Sequence, residues 1–148
     1  MTLKERLDED LKSSLKSGDK TRLQTIRSLR ATILEFEKSG SGKILDEEEE
    51  IKILSTAAKR RKESIEQFRK GSREDLAQVE EAELKIIMSY LPKQLSKDEI
   101  RETIKRIAAE IGAVAKSDFG RLMSASIKEL KGKAEGKIIK EIVENFLS

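Results

Sequence analysis

Cysteine and histidine are both absent from the sequence. Their absence excludes disulfide staples, thiolate nucleophiles, imidazole acid–base chemistry and the common zinc ligand sets together. Tryptophan is also missing, tyrosine occurs once and phenylalanine four times, so there are few rings on which a nucleic-acid base could stack. The only proline is Pro92, which leaves long stretches on either side free to be helical. Nothing approaches about 18 consecutive apolar residues, and Met1-Thr2-Leu3-Lys4-Glu5 turns polar at once. Neither a signal peptide nor a membrane-spanning helix is expected, and a cytoplasmic protein is the default expectation.

What is present is charge. Of 148 residues 40% are charged and 36% apolar, with 31 basic side chains against 28 acidic ones. The signs nearly cancel to +3, so net charge alone identifies no partner. So much charge with so few aromatics fits amphipathic helices with solvated faces around a thin core, not a β-sandwich or a buried parallel sheet. The expected fold class is all-α, with an N-terminal helical bundle built of hairpins and a small C-terminal three-helix subdomain.

The periodicity supplies the elements. Thr2 with Glu5 three residues on forms a capping-box pattern, and Leu3, Leu7, Leu11 and Leu15 make a stripe that Gly18 closes. Asp19 caps a second helix carrying Leu23, Ile26, Leu29, Ile33 and Phe36. After the flexible Ser39-Gly40-Ser41-Gly42, a third helix begins at Asp46 with Ile51, Leu54, Ala58, Ile65 and Phe68 inward and Gly71 as its stop. Ser72 caps a fourth with Leu76, Val79, Ala82, Ile86 and Tyr90 inward. Leu91-Pro92 pushes the chain out of helical geometry, which marks a link between residues 1–94 and 95–148. Ser96 and Glu99 then open a fifth helix that ends at Gly112. Ser117 or Asp118 caps a sixth with Phe119, Leu122, Met123, Ile127 and Leu130, and Gly132 to Gly136 separate it from a seventh.

Few residues in this pattern point to chemistry. Gly40-Ser41-Gly42-Lys43 lacks the glycine and hydroxyl of a phosphate-binding loop, because Glu37 and Ile44 stand there. Carboxylates at Asp46 to Glu50 fan around a helix axis, about 100° apart, and suit the helix dipole better than a metal ion. No metal and no cofactor are expected. The basic run Lys59-Arg60-Arg61-Lys62 offers Lys59, Arg60 and Lys62 to a phosphate backbone, whereas Arg61 lies on the apolar stripe and is expected to snorkel or pair with an acid. In the sixth helix, Arg121, Lys128 and Lys131 share an arc of about 80° opposite the apolar residues, with Lys133 and Lys137 following in the turn. Such a face tracks phosphates without reading bases.

Several stretches together resemble the GatB/YqeY family: Lys59 to Phe68, Gly71-Ser72-Arg73-Glu74-Asp75-Leu76-Ala77, Glu80-Glu81-Ala82-Glu83, and Tyr90-Leu91-Pro92-Lys93-Gln94-Leu95-Ser96. Downstream, Asp118-Phe119-Gly120-Arg121-Leu122-Met123 and Leu130 to Lys137 continue the likeness. The chain departs from the pattern at Phe119, Arg121, Ser124 and Glu135, where the family favours Met, Lys, Gly and Asp. The resemblance implies a stand-alone relative of the helical and tail domains of the B subunit of the tRNA-dependent amidotransferase. It carries with it an association with carbon–nitrogen ligase activity using glutamine as amido donor. In that enzyme the tail grips tRNA while other parts perform the chemistry. The function expected here is therefore a tRNA-associating accessory, not catalytic alone, whose partners are tRNA and an amidotransferase or aminoacyl-tRNA synthetase. The alternative is a helical protein–protein interaction module without RNA binding.

Overall fold

The computed structural model describes residues 1–148 and is all-α. Seven α-helices succeed one another: α1 (Leu3–Ser17), α2 (Lys20–Lys38), α3 (Glu47–Lys70), α4 (Glu74–Tyr90), α5 (Lys97–Ile111), α6 (Phe119–Leu130) and α7 (Gly136–Phe146), with a single 3-10 turn at Lys116–Asp118 before α6. They form two compact units, Met1–Leu91 and Pro92–Ser148, each around its own apolar core. No helix is long and apolar enough to cross a membrane.

In the first unit the termini of α1 and α2 are closed by short side chains. Thr2 accepts from the Glu5 N–H and Asp19 from the Arg22 N–H, while Gly18 adopts φ 73° and donates to Ser14 O. Leu7, Ile26, Leu29, Ile33 and Leu54 fill the centre. The expected α1 stripe does not run to its end. Four-residue spacing overshoots a helical turn by about 40° each time, so Leu15 has rotated out and is 56% exposed while Ser14 is buried.

The acidic run does several separate jobs instead of one. Asp46 caps α3 by accepting from the Glu49 N–H, and the Glu50 carboxylate accepts from the Leu3 N–H at 2.6 Å. Glu50 thus satisfies an orphan amide at the start of α1 as well as facing its own first turn. At the other end of the unit, the Arg6 guanidinium donates to the carbonyls of Tyr90 and Ser89, the last of α4, and lies 5.0 Å from the Tyr90 ring centroid. The Tyr90 hydroxyl donates to Asp10. Burial, and then this contact with Asp10, push the phenol above its ordinary range.

The α3–α4 corner departs from expectation twice. Gly71 has φ −86°, and the left-handed position is taken by Ser72 at φ 57°. Arg73 N–H donates to Phe68 O and Ser72 N–H to Arg69 O, the paired bonds of a Schellman closure. Ser72 therefore ends α3 and does not cap α4, whose first residue follows Arg73 without any side-chain cap. On α4 itself Val79 and Ala82 face out, while Glu83 is buried. The reason lies across the interface: Arg61 of α3 points inward, its Nε 2.8 Å from Glu83 Oε2 and 3.4 Å from Glu80 Oε2. The inward guanidinium gives Glu83 a partner on α4's buried face, between the apolar Ala77 and Ile87. Burial first, and the neighbouring Glu83 charge second, hold the Glu80 carboxyl above its usual range against the pull of Arg61.

The second unit buries Ile100, Ile104, Leu122, Leu130, Ile139 and Val143 between α5, α6 and α7. Ser96 caps α5 and Gly112 closes it at φ 71°. Asp118 does not cap α6. Its carboxylate turns back to accept from the Val114 and Ala115 N–H groups at 3.0 and 3.1 Å, leaving α6 to emerge directly from the 3-10 turn. Residues 92–95 pack with this unit: Gln94 Nε2 donates to Gly132 O at 2.6 Å, and Leu95 N–H donates to Lys133 O at 2.9 Å.

Candidate nucleic-acid interface

Those two hydrogen bonds hold the α6–α7 turn, and with it most of the lysines singled out above. Helix α6 stops at Leu130, and Lys131 already has the extended ψ of 124°. A helical projection therefore places Arg121 and Lys128 but no longer governs Lys131, whose direction is set by the turn. Gly132, at φ 78°, bends the chain so that Lys133 follows on the exposed side. Helix α7 then starts at Gly136, next to Lys137, with no side-chain cap hydrogen bond from Glu135. A Cβ built on Gly136 meets nothing within 4 Å.

The five cations are not equivalent. The Arg121 guanidinium is occupied locally, 3.1 Å from Asp118 Oδ1 and 3.3 Å from Ile111 O. The two backbone N–H donors, foremost, together with Arg121, hold the Asp118 carboxyl below its usual range. The spacing of Asp118 and Arg121, three residues apart, was the sequence signal for this pairing, and a reading of the basic face alone passes over it. Lys128, Lys133 and Lys137 are exposed, and no carboxylate is paired with them. Lys131 is half-buried. All three arginines of this unit face an acid: Arg101 pairs with Asp98, Arg106 with Glu110 and Glu129, Arg121 with Asp118. Around the α6–α7 turn the cations left for solvent or a ligand are the ammonium groups of Lys128, Lys133 and Lys137, point charges without the planar fork of arginine.

The two units differ in charge. Met1–Leu91 contains nineteen basic and nineteen acidic residues, Pro92–Ser148 twelve and nine, so the whole excess of +3 lies in the second unit. The secondary cluster sits in the neutral unit. Lys59 and Arg60 are exposed on α3, Lys62 is half-buried, and Arg61 between them turns to Glu83 as its place on the apolar stripe implies. No group of three or more acidic side chains is arranged to hold a metal ion. The aromatic rings of this unit are Phe119, which packs on the core, and Phe146, which is 41% exposed, and they stand at the first residue of α6 and the last of α7, the ends away from the α6–α7 turn. The surface suits phosphates and offers almost nothing for base stacking.

Comparison with known proteins places this geometry in context. A family model described as "Yqey-like protein" matches residues 4–147. The protein named "Altered inheritance of mitochondria protein 41, mitochondrial" of Pyrenophora tritici-repentis is 32% identical over 132 residues, covering 87% of this chain and 71% of that one. Its namesakes in Lachancea thermotolerans and Eremothecium gossypii are 41% and 40% identical over 85 residues, 57% of this chain. This chain thus spans a little under half, 46%, of the length of each of those two relatives. The expectation of a cytoplasmic protein does not survive this comparison, because the relatives are named as mitochondrial proteins. Composition and the lack of a long apolar run carry no information about compartment that outweighs it.

Proposed function

The chain belongs to the YqeY-like family, and from that premise we propose that it is a tRNA-associating accessory whose C-terminal unit grips the phosphate backbone. Its place is beside glutamine-dependent amide formation on mischarged tRNA, the carbon–nitrogen ligase chemistry that the GatB likeness implies, with the catalytic steps performed by a partner amidotransferase or synthetase. One observation carries the reading: Lys128, Lys133 and Lys137 stand unpaired around a turn next to the uncapped start of α7, in the unit that holds all the excess positive charge. Ammonium groups suit phosphate oxygens, and their spread over a turn gives grip without sequence reading.

The test is a titration of bulk tRNA across a salt series, comparing wild type with Lys128→Gln/Lys133→Gln/Lys137→Gln. Each phosphate contact contributes about 0.7–0.9 to the slope of log affinity against log salt, so loss of three contacts lowers the slope by about 2–3. All three side chains are exposed, so the variant keeps its fold. Equal affinity and equal slope for both proteins would remove this surface from consideration.

A further inference from the structure

A second surface of the C-terminal unit is built differently. Along the side where α5 packs on α7 runs an open groove of about 280 Å³. Its α5 edge carries Lys97, Arg101 and Lys105, and its α7 edge Ile138, Ile142 and Phe146. Both rows repeat at i, i+4 and i+8, so each extends about 12 Å, a little over two helical turns. One rail is cationic and the other apolar. Ile142 is nearly buried, Ile138 is half-exposed and Phe146 more so, so the apolar row is anchored in the core while its ends remain open.

The charges on the cationic rail are free to be used. Neither Lys97 nor Lys105 is ion-paired with a carboxylate. Arg101 is paired only with Asp98, three residues earlier on the same helix, whose side chain is 93% exposed. An exposed pair of this kind exchanges readily for another acid. Glu102 and Glu141 also line the groove. Their charge opposes a phosphate backbone laid along it, and a nucleic acid would leave Ile138 and Phe146 without partners. The features together match an amphipathic helix better than a polyanion.

We propose that this groove docks one helix of a partner protein, with apolar residues at i, i+4 and i+8 set on Ile138, Ile142 and Phe146, and an acidic flank against Lys97, Arg101 and Lys105. Glu102 stands on α5 with the cationic row, so the flank turned to α7 and Glu141 is the neutral or basic one, which orients the docked helix by charge on both sides. The inference does not rest on the tRNA reading, which uses other side chains.

The probe is a labelled, end-capped peptide about four turns long, with leucines at i, i+4 and i+8 and glutamates along one flank, followed by fluorescence anisotropy against the full chain. A control peptide keeps the leucines and carries lysines in place of the glutamates. The acidic peptide is expected to bind saturably and the control not. Lys97→Glu/Lys105→Glu, at two exposed positions, weakens the acidic peptide by about tenfold and gains the lysine peptide. Phe146→Ala weakens both pairings, with its helical content and melting checked alongside. Absence of saturable binding up to about 1 mM peptide, a range that already admits weak complexes, overturns the proposal. So does unchanged binding by Lys97→Glu/Lys105→Glu. A third overturning result is a loss of tRNA affinity in Lys97→Gln/Lys105→Gln as large as that of the Lys128, Lys133 and Lys137 variant, which would make the groove part of an RNA surface.

Discussion

Replacing Arg61 with methionine removes one guanidinium and leaves two carboxylates facing each other at the α3–α4 interface. The side chains of Arg61, Glu83 and Glu80 are 18%, 10% and 23% exposed, so the charges are largely withdrawn from water. Removing one partner of a buried pair costs about 3–5 kcal/mol. The residual solvent access puts Arg61→Met at the lower end, about 3 kcal/mol, which for a unit of this size lowers the melting temperature by about 15 °C. Acidity supplies the diagnostic. The Glu80 carboxyl is raised above its usual value of 4.5, so just above that value the folded state binds more protons than the unfolded one, and stability falls as pH rises through the window. Without Arg61 nothing pulls Glu80 down, and the window widens upward. Thermal unfolding followed by circular dichroism is therefore expected to show a large loss at neutral pH that shrinks on acidification toward about pH 5. Arg61→Met combined with Glu80→Gln and Glu83→Leu is expected to recover most of the loss, because an uncharged trio leaves no ion unpaired. A loss below about 1 kcal/mol, the scale of an exposed pair, or one indifferent to pH, would refute the view that this network is a desolvated unit.

Ser72→Gly is expected to stabilise the chain by about 0.5–1 kcal/mol, since φ 57° strains a residue with a Cβ and the Schellman bonds are backbone only; a fall in melting temperature would argue that the Ser72 side chain contributes more than its strain. Asp118→Asn keeps an acceptor for the Val114 and Ala115 amides but removes the charge that holds Arg121. Its tRNA affinity is expected to rise by about two- to fivefold at low salt, and no change would show that Arg121 stays outside the phosphate-binding surface even when released.

Much of the architecture was legible in the sequence because the signals are local. A threonine or serine three residues before a glutamate, glycines at positions 18 and 112, and isoleucines at 100, 104 and 107 are satisfied within one or two turns of chain. Seven helices and the all-α class follow from such signals alone. Leu15 apart, the failures share one cause, which is that the deciding partner lies far away in sequence or in a competing local contact. Leu15 looks inward by spacing, yet helical drift turns it out. Val79 looks more apolar than Glu83, yet Arg61, twenty-two residues earlier, draws the acid in. Asp118 looks like a cap for α6, yet two amides behind it are nearer.

The same division holds for the surfaces. Composition and spacing by themselves determined that the C-terminal third is a helical unit with several lysines near one turn, because residue identity and period are properties of the chain. The i, i+3 spacing of Asp118 and Arg121 already allows their pair, but only the folded structure decided that the contact forms and that Lys128 is left without one. Likewise only packing set the row Lys97, Arg101, Lys105 beside the row Ile138, Ile142, Phe146. Two helices some forty residues apart in the chain share a groove because burying their apolar faces leaves those edges adjacent, and no local signal encodes that adjacency.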